Sequence, residues 1–327
     1  MERARIVGTG HYLPAHIQTN QDIEKLCDTS DEWITQRTGI RQRHRVADGE
    51  GSSDLAAPAI MQALDAAGME PKDIDLLLCC TTTPDQIVPA TACRVQDKIG
   101  ATNAASMDLN AACSGFIYGV STADAFIKTG QAKNVVVVGT EVTGNRLSWE
   151  RRDTAVLFGD GAGAAVLTGS ENGRGVLTSH LWCDGSGLEM LWYPGGGSKI
   201  PVTHENLDDF DIHAVQMNGQ GVFKRAVTDF SAAIATALDT AGYTIDDVDI
   251  MVPHQANVRI INAVAHKVGL PEEKCVINLD RVGNLIAGSI PVALDEAVRA
   301  GRVQEGNLVL LAGFGAGLTW ASALIRW

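Results

Sequence analysis

The chain has 327 residues, of which 45% are hydrophobic, so it can bury the core of two ordinary domains or of one large two-lobed domain. Its net charge of −13 argues against nonspecific binding to nucleic acid or to an anionic membrane, because phosphate groups require a concentrated basic surface. The apolar runs are short, as at 135–138, whereas a membrane-spanning helix needs roughly 20 apolar residues. We therefore expect a soluble, cytoplasmic protein that contacts neither nucleic acid nor membrane.

The seven cysteines are an odd number and show neither a Cys-x-x-Cys pair nor the spacing of a zinc site. A chain of this length does not depend on disulfides for its stability. We therefore expect reduced thiols and no bound metal.

In chain order, the first informative segment is residues 63–78, because its pattern occurs twice. Residues 63–68 (ALDAAG) return as 237–242 (ALDTAG), and the acidic turn and apolar run at 73–78 return at 247–252, a constant offset of 174 residues. Each copy has the pattern of an amphipathic helix that ends at glycine and is followed by a buried strand. An offset that holds over so many positions indicates an internal duplication.

The duplication predicts the architecture of the whole chain. We expect two α/β lobes related by a pseudo-twofold axis, with sheets and helices stacked in layers and equivalent strand ends meeting at the centre, where a ligand site would lie. The expected boundaries are 1–171 for the N-terminal half and 217–327 for the C-terminal half. Residues 172–216 contain many turn-forming residues, and we interpret them as a connector or surface cap.

The N-terminal half contains a candidate nucleophile, Cys113. A strand-like segment at 105–109 is followed by small residues around this cysteine, and residues 116–130 then show helical periodicity with a terminal glycine. Cys113 would therefore lie at a strand-to-helix turn, where the unpaired N–H groups of the helix stabilise a thiolate and lower the thiol pKa. A buried structural cysteine is the alternative interpretation, and it suits Cys79 and Cys80.

The C-terminal half supplies two polar partners. His254 follows the duplicate of the apolar strand at 76–78, so it should face the same central junction as Cys113. Asn284 follows a glycine, precedes a helix-like segment, and lies close to Ala287, which the 174-residue offset pairs with Cys113. Histidines are more often surface or satisfied core residues, and it is this context that makes His254 a candidate.

Six stretches of the sequence, taken together and in this order, resemble the β-ketoacyl-acyl-carrier-protein synthase III family of condensing enzymes. They are residues 28–34 (DTSDEWI), 37–40 (RTGI), 112–116 (ACSGF), 158–163 (FGDGAG), 252–257 (VPHQAN) and 283–284 (GN). The resemblance spans essentially the whole chain and implies a thiolase-like duplicated α/β fold with layers in the order α-β-α-β-α. It also implies a homodimeric acyltransferase without a metal or redox cofactor.

The resemblance implies a catalytic triad of Cys113, His254 and Asn284. Cys113 would take an acyl group from acyl-CoA, and the other two residues would donate hydrogen bonds to the thioester carbonyl of malonyl-acyl carrier protein as it loses CO2. The backbone N–H groups of Cys113 and Ala316 would form the oxyanion hole for the acyl carbonyl; the family usually has glycine at the latter position. The reaction would be a decarboxylative Claisen condensation that initiates fatty-acid synthesis.

Two binding surfaces are also implied by the resemblance. The adenine of coenzyme A would lie between Trp33 and Arg152, with Arg37 near its phosphates, because an aromatic ring and a guanidinium suit a base and an anion. The remaining coenzyme A contacts would be Thr29, Phe223 and Asn257. The acidic carrier protein would dock on a local basic cluster made of Lys224, Arg225, Arg259 and Lys267.

Three residues depart from the family pattern around the acyl site. Leu285 and Ile286 replace two small hydroxylic residues that commonly follow the catalytic asparagine, and they would reshape the pocket or alter the support of Asn284. Val88 stands where short-chain members often have phenylalanine at the floor of the partner subunit's acyl pocket. A smaller residue suggests a deeper slot, so we hypothesise a primer longer or bulkier than acetyl, such as a medium-chain acyl group.

Other functions of related enzymes require residues that can be checked in this sequence. A degradative thiolase would have a second reactive cysteine in the loop 313–317, and hydroxymethylglutaryl-CoA synthase would need a glutamate just before residues 81–83; neither is present. The loops 159–163 and 313–317 lack the full dinucleotide-binding fingerprint. The residues leave open an acyltransferase or condensing enzyme of specialised metabolism with the same triad. A scaffold partner subunit is the non-enzyme alternative, although such subunits typically lack the nucleophile.

Overall fold

The computed structural model describes residues 3–209 and 211–327. The central strands form where β-branched and other apolar residues run together, as in the valine run at 135–138. In chain order the strands are β1 (Arg3–Tyr12), β2 (His16–Thr19), β3 (Gln42–Arg45), β4 (Leu76–Cys80), β5 (Ala105–Leu109), β6 (Asn134–Glu141), β7 (Gly161–Ser170), β8 (Gly175–Cys183), β9 (Leu191–Trp192), β10 (Gln216–Met217), β11 (Ile250–Pro253), β12 (Leu308–Gly315) and β13 (Thr319–Arg326).

The helices are amphipathic segments, and the two that belong to the repeated sequence both end at a left-handed glycine, Gly68 and Gly242. In chain order the helices are α1 (Asn20–Ile23), α2 (Asp31–Thr38), α3 (Ser52–Ala67), α4 (Thr91–Ile99), α5 (Gly115–Lys128), α6 (Arg152–Ala155), α7 (Gly219–Ala241), α8 (Val258–Val268), α9 (Leu279–Val282) and α10 (Ser289–Arg299). Within the described ranges, none of these helices has the length and apolar character needed to cross a membrane.

Two sheets form the framework of the fold. The first has the strand order β1-β7-β6-β4-β5, in which β6, β4 and β5 run parallel and β7 is antiparallel to both of its neighbours. The second has the order β11-β12-β13-β8, in which β11 and β12 run parallel and β13 is antiparallel to both of its neighbours. The run β1-β7-β6-β4 therefore has the same topology as β8-β13-β12-β11, which confirms the internal duplication.

Helices cover both faces of each sheet. The inner helices α5 and α10 lie between the sheets, and residues such as Phe116 and Ile290 share one buried cluster with both inner faces. On the outside, α3 and α4 cover the first sheet, while α7 and α8 cover the second. The layers therefore follow the predicted order α-β-α-β-α. Because both faces of each sheet are buried, its central strands are continuous apolar runs.

The segment expected to be a connector, residues 172–216, begins with a regular strand. Residues 175–183 form β8, which pairs with β13 at the edge of the second sheet. The polar residues of this edge strand and the glycine-rich segments beside it hid its pattern in the sequence. The turn-rich part of the connector therefore starts after Cys183, and the short ribbon of β9 and β10 joins its two ends.

Candidate active site

The turn that contains Cys113 joins β5 to α5, as the sequence predicts. Residues 112–114 form a short helical turn, and Ala112 adopts a left-handed conformation with a φ of 46°. The turn packs closely against β12, because a Cβ added at Gly315 would lie 2.7 Å from the Cβ of Cys113. This close approach requires a residue without a side chain on β12, and it leaves Cys113 buried at the centre of the molecule.

Cys113, His254 and Asn284 line one cavity of about 550 Å³. Cys113 follows β5 in the first half, whereas His254 follows β11 and Asn284 precedes α10 in the second half. The cavity walls are largely apolar and include Phe158 and Phe230. The duplicated halves thus bring the three predicted side chains together at the central junction.

The protonation state of Cys113 differs from the expectation. Burial, with a smaller contribution from the charge of Glu141, raises the pKa of the Cys113 thiol to about 12. The backbone N–H groups of Ala316 and Cys113, which face the sulfur, lower the pKa by less. The predicted lowering by the helix N-terminus is therefore wrong for the free protein, because dehydration of a thiolate outweighs the nearby dipoles. The resting Cys113 side chain is a thiol.

His254 is a neutral imidazole. It lies just after β11, where its backbone N–H donates to the carbonyl of Ala312. The side chain is 1% exposed, and burial lowers the imidazole pKa to about 3. Its Nδ1 has no hydrogen-bond partner within the described residues. With no charged partner to offset desolvation, the imidazole stays neutral at physiological pH and has one N–H to donate.

Asn284 is held by hydrogen bonds to its backbone and its side chain. Its N–H donates to the carbonyl of Leu157 at 2.9 Å, and its carbonyl accepts from the N–H of Gly159 at 3.0 Å. The side-chain Oδ1 accepts from the N–H of Ile286 at 2.8 Å. Because this contact occupies the oxygen, the NH2 group is the part of the amide that is available as a donor in the cavity.

These groups form two sets of donors. The N–H groups of Cys113 and Ala316 face the sulfur. The carbonyl oxygen of an acyl group bound to this sulfur would lie within reach of both donors. Neutral His254 and the amide of Asn284 form the second set on the same cavity. Fixed donors in a buried site stabilise a developing oxyanion or enolate without reorganising at the moment of reaction. The arrangement therefore suits acyl transfer between thioesters.

Most residues expected to bind coenzyme A lie at this cavity. Four of the six line it, namely Trp33, Arg37, Phe223 and Asn257. Arg152 lies over the ring of Trp33, with the guanidinium carbon 4.9 Å from the ring centre. Thr29 is not among the lining residues, and its hydroxyl is buried without a partner in the described part of the chain.

The four basic residues expected to dock the carrier protein differ in their availability. Three are exposed on α7 and α8, namely Lys224, Arg259 and Lys267. Arg259 also lines the cavity. Arg225 is half-buried and pairs with Asp184 at 2.9 Å and with Asp229 at 2.7 Å. Because Arg225 is engaged within the chain, the exposed basic surface consists of the other three residues.

The three residues expected to shape the acyl pocket do not line the cavity. Leu285 is fully buried in a small cluster with Leu13 and lies outside this cavity. The turn after Asn284 directs this side chain into a separate part of the core. Ile286 belongs to the buried cluster that contains Cys113. Val88 is 81% exposed on its own chain.

Glu141 is a buried ionisable residue that the sequence analysis missed. It ends β6, and its carboxylate accepts hydrogen bonds from Thr82 and Thr83. Burial raises the pKa of Glu141 to about 7. The available signal was a carboxylate directly after an apolar strand, at the end that faces the central junction. Among residues 3–209 and 211–327, no three His, Cys, Asp or Glu side chains are grouped as a metal site.

Known proteins resemble this chain over nearly its whole length. Residues 107–185 match the family described as 3-oxoacyl-(acyl-carrier-protein) synthase III, and residues 238–327 match its C-terminal region. The β-ketoacyl-acyl-carrier-protein synthase III of Caldanaerobacter subterraneus subsp. tengcongensis is 49% identical over 325 residues, which is 99% of this chain and 98% of that protein.

Solved structures show the same fold. The 3-oxoacyl-acyl-carrier-protein synthase III of Aquifex aeolicus superposes with a TM-score of 0.92 at 42% identity, covering 99% of this chain and 100% of that one. The priming β-ketosynthase of a polyketide biosynthetic pathway superposes with a TM-score of 0.91 at 35% identity, covering 99% of this chain and 96% of that one. Identity at this level over nearly complete chains shows that the protein belongs to the β-ketoacyl-acyl-carrier-protein synthase III family.

Proposed function

We propose that the protein condenses an acyl-CoA primer with malonyl-acyl carrier protein to give 3-ketoacyl-acyl carrier protein, the step that initiates fatty-acid synthesis. The observation that carries this proposal is the meeting of Cys113, His254 and Asn284 on one cavity in a chain of this family. The backbone N–H groups of Cys113 and Ala316 face the Cys113 thiol, and the imidazole of His254 is neutral.

Acylation is the first half-reaction. The sulfur of Cys113 attacks the thioester carbonyl carbon of acyl-CoA, the bond from that carbon to the coenzyme A sulfur breaks, and the leaving thiolate takes up the proton that the Cys113 thiol loses. The N–H groups of Cys113 and Ala316 stabilise the oxyanion of the tetrahedral intermediate. Because burial raises the pKa of the resting thiol, loss of its proton accompanies the attack.

Condensation is the second half-reaction. The bond from the malonyl α-carbon to its free carboxylate breaks, CO2 leaves, and the electron pair forms an enolate whose oxygen accepts hydrogen bonds from His254 and Asn284. Decarboxylation removes no proton from carbon, so neutral donors suffice and a strong base is not required. The enolate carbon then attacks the carbonyl carbon of the acyl-cysteine, the bond from that carbon to the Cys113 sulfur breaks, and the leaving thiolate takes up a proton from solvent.

Substrate binding and assembly belong to the same proposal. Coenzyme A would lie along Trp33 and Arg37, with its adenine between Trp33 and a displaced Arg152. The carrier protein would approach the exposed basic residues near Arg259. The protein would act in the cytoplasm as a homodimer, in which a second subunit covers the exposed apolar side chains of Ile87 and Val88; they are 86% and 81% exposed on one chain.

Intact-protein mass spectrometry tests the proposed function. The protein is incubated with acyl-CoAs of increasing length and then with malonyl-acyl carrier protein. We expect an acyl adduct on Cys113 that disappears as the 3-ketoacyl product forms. The Cys113→Ser variant should form no such adduct while its thermal unfolding midpoint stays close to that of the wild type.

Two other outcomes would replace this function. An adduct that malonyl-acyl carrier protein does not discharge, but an amine or alcohol does, would identify an acyltransferase of specialised metabolism. No adduct with any acyl-CoA would favour the scaffold subunit.

A further inference from the structure

Glu141 has no part in the proposed mechanism, although it lies at the same central junction. Its side chain is completely buried. Its carboxylate accepts hydrogen bonds from the N–H of Thr82 at 3.0 and 3.2 Å, from the hydroxyl of Thr82 at 2.8 Å and from the hydroxyl of Thr83 at 2.8 Å. The backbone N–H of Ala287 is a further and weaker donor to this carboxylate. A buried carboxylate held by several neutral donors requires an explanation, because its desolvation is costly.

The duplication identifies the region of the other half that corresponds to the cluster of Glu141, Thr82 and Thr83. The 174-residue offset pairs Cys113 with Ala287 and Ala316 with Val142. The N–H groups of Ala287 and Val142 therefore correspond to the N–H groups of Cys113 and Ala316, which face the sulfur. Glu141 accepts the first of them, and the hydroxyl of Thr83 accepts the second at 2.9 Å. The counterpart of the oxyanion hole is therefore occupied by the protein's own side chains.

The turn that Glu141 contacts is the one that orients Asn284. Ile286 has a φ of 47°, a left-handed conformation that a β-branched residue rarely adopts. In this conformation its N–H donates to the Oδ1 of Asn284 at 2.8 Å. Such a strained turn persists only when its surroundings hold it. The hydrogen bond from the N–H of Ala287 to Glu141 is one of these contacts.

We propose that Glu141 is a positioning residue for malonyl decarboxylation, because its hydrogen bond to Ala287 holds the Ile286 turn that fixes the amide of Asn284. This inference rests on the proposed function. It assigns Glu141 no contact with substrate, since it acts through the turn and Asn284.

The ionisation of Glu141 matters for this role, because the ionised carboxylate accepts all of its donors whereas the protonated form has lost an acceptor site. Burial raises the pKa of Glu141 to about 7 and the hydrogen bonds from Thr83 and Thr82 oppose the rise. The titratable groups that face it are the thiols of Cys79, Cys80 and Cys113. Burial raises the pKa of each thiol well above neutrality, so none of them titrates in the same range.

Glu141 affects the two half-reactions in opposite directions. Its negative charge raises the pKa of Cys113, so the Glu141→Gln variant should acylate at an equal or higher rate. The same substitution places an amide NH2 group against the N–H of Thr82 and disturbs the turn, so decarboxylation should slow. A residue with a purely structural role would lower both rates together.

Separate assays of the two half-reactions on the full-length protein test the inference. Acylation is followed by release of coenzyme A from acyl-CoA, and decarboxylation by loss of CO2 from malonyl-acyl carrier protein. For Glu141→Gln we expect decarboxylation to slow by about tenfold or more while acylation is unchanged or faster. A parallel fall in both rates, or an unchanged decarboxylation rate, would overturn the inference.

A second pair of variants keeps the test decisive if Glu141→Gln does not fold. Thr82→Val removes one hydroxyl donor that lowers the pKa of Glu141, so the acidic limb of the decarboxylation pH profile should move to higher pH. Thr82→Ser retains the hydroxyl and should restore the wild-type profile. An unshifted profile in Thr82→Val contradicts the inference. If the wild-type protein itself does not decarboxylate malonyl-acyl carrier protein, the proposed function fails, and the inference fails with it.

Discussion

At the residue scale, the neutrality of His254 determines how the reaction depends on pH. Burial lowers the imidazole pKa to about 3, whereas an ordinary histidine titrates near pH 6.5. His254 should therefore stay neutral from about pH 8 down to about pH 5. We expect a decarboxylation profile with no limb caused by protonation of His254 in this range. A limb near pH 6.5 that persists in Glu141→Gln and vanishes in His254→Ala would contradict this.

The division of labour between the triad members gives a second prediction at this scale. His254→Ala and Asn284→Ala each remove one donor to the enolate oxygen, so decarboxylation should slow by about 100- to 1000-fold. Acylation should change by less than about tenfold, because the oxyanion hole for that step consists of backbone donors. Coenzyme A release and CO2 release measure the two steps. His204→Ala, which alters an exposed histidine of the connector, is the matched control. Equal losses in both steps would contradict the assigned roles.

At the scale of elements, the site depends on the close approach of strands to turns. A Cβ added at Gly139 on β6 would lie 2.1 Å from the carbonyl oxygen of Ala287. The Gly139→Ala variant should therefore unfold at lower denaturant concentration, with a loss of about 1–3 kcal/mol typical of overpacking. It should also lose decarboxylation, because the turn that orients Asn284 must shift. Gly197→Ala is the control, since nothing lies within 4 Å of its added Cβ. Equal free energies of unfolding for the two variants would contradict this prediction, because they would show that the turn can shift without loss of stability.

At the scale of the whole molecule, the distribution of charge is expected to affect how the carrier protein binds. The chain carries a net charge of −13, so in the proposed function the exposed basic residues beside the cavity would provide the local attraction for an acidic partner. Lys224→Glu and Arg259→Glu should raise KM for malonyl-acyl carrier protein by about tenfold with little change in kcat, and added salt should reduce the difference. Lys133→Glu makes the same charge change at an exposed site of the other half. Arg225→Ala should instead lower the unfolding midpoint.

The preferred primer length depends on the assembly of two chains in the proposed homodimer. Val88 is 81% exposed on one chain, so it can form a pocket floor only against a second copy. We expect faster acylation with octanoyl- or decanoyl-CoA than with acetyl-CoA. Val88→Phe should slow octanoyl transfer by at least about tenfold and affect acetyl transfer little, because a larger side chain would fill the slot. A strong acetyl preference in the wild-type protein would refute the deep pocket.

The fold class and the duplication could be predicted from the sequence alone, and so could the approach of the candidates Cys113, His254 and Asn284 to the central junction. These features depend on contiguous patterns: helical and strand periodicity, turn residues at element ends, and one offset of 174 residues that repeats across both halves. The offset also placed the strand before His254 opposite the strand before Cys113, so the meeting of these residues followed from local signals.

The electrostatics and the neighbours of the site could not be predicted from the sequence, because both depend on contacts between distant segments. The raised pKa of Cys113 and the lowered pKa of His254 both come from burial, which depends on residues far away in the sequence. The same holds for the strand at 175–183, whose partner β13 is more than a hundred residues away, and for Leu285, whose direction depends on one turn. Glu141 gained its contacts in the same way, because burial and pairing between distant segments leave no periodic pattern in the chain.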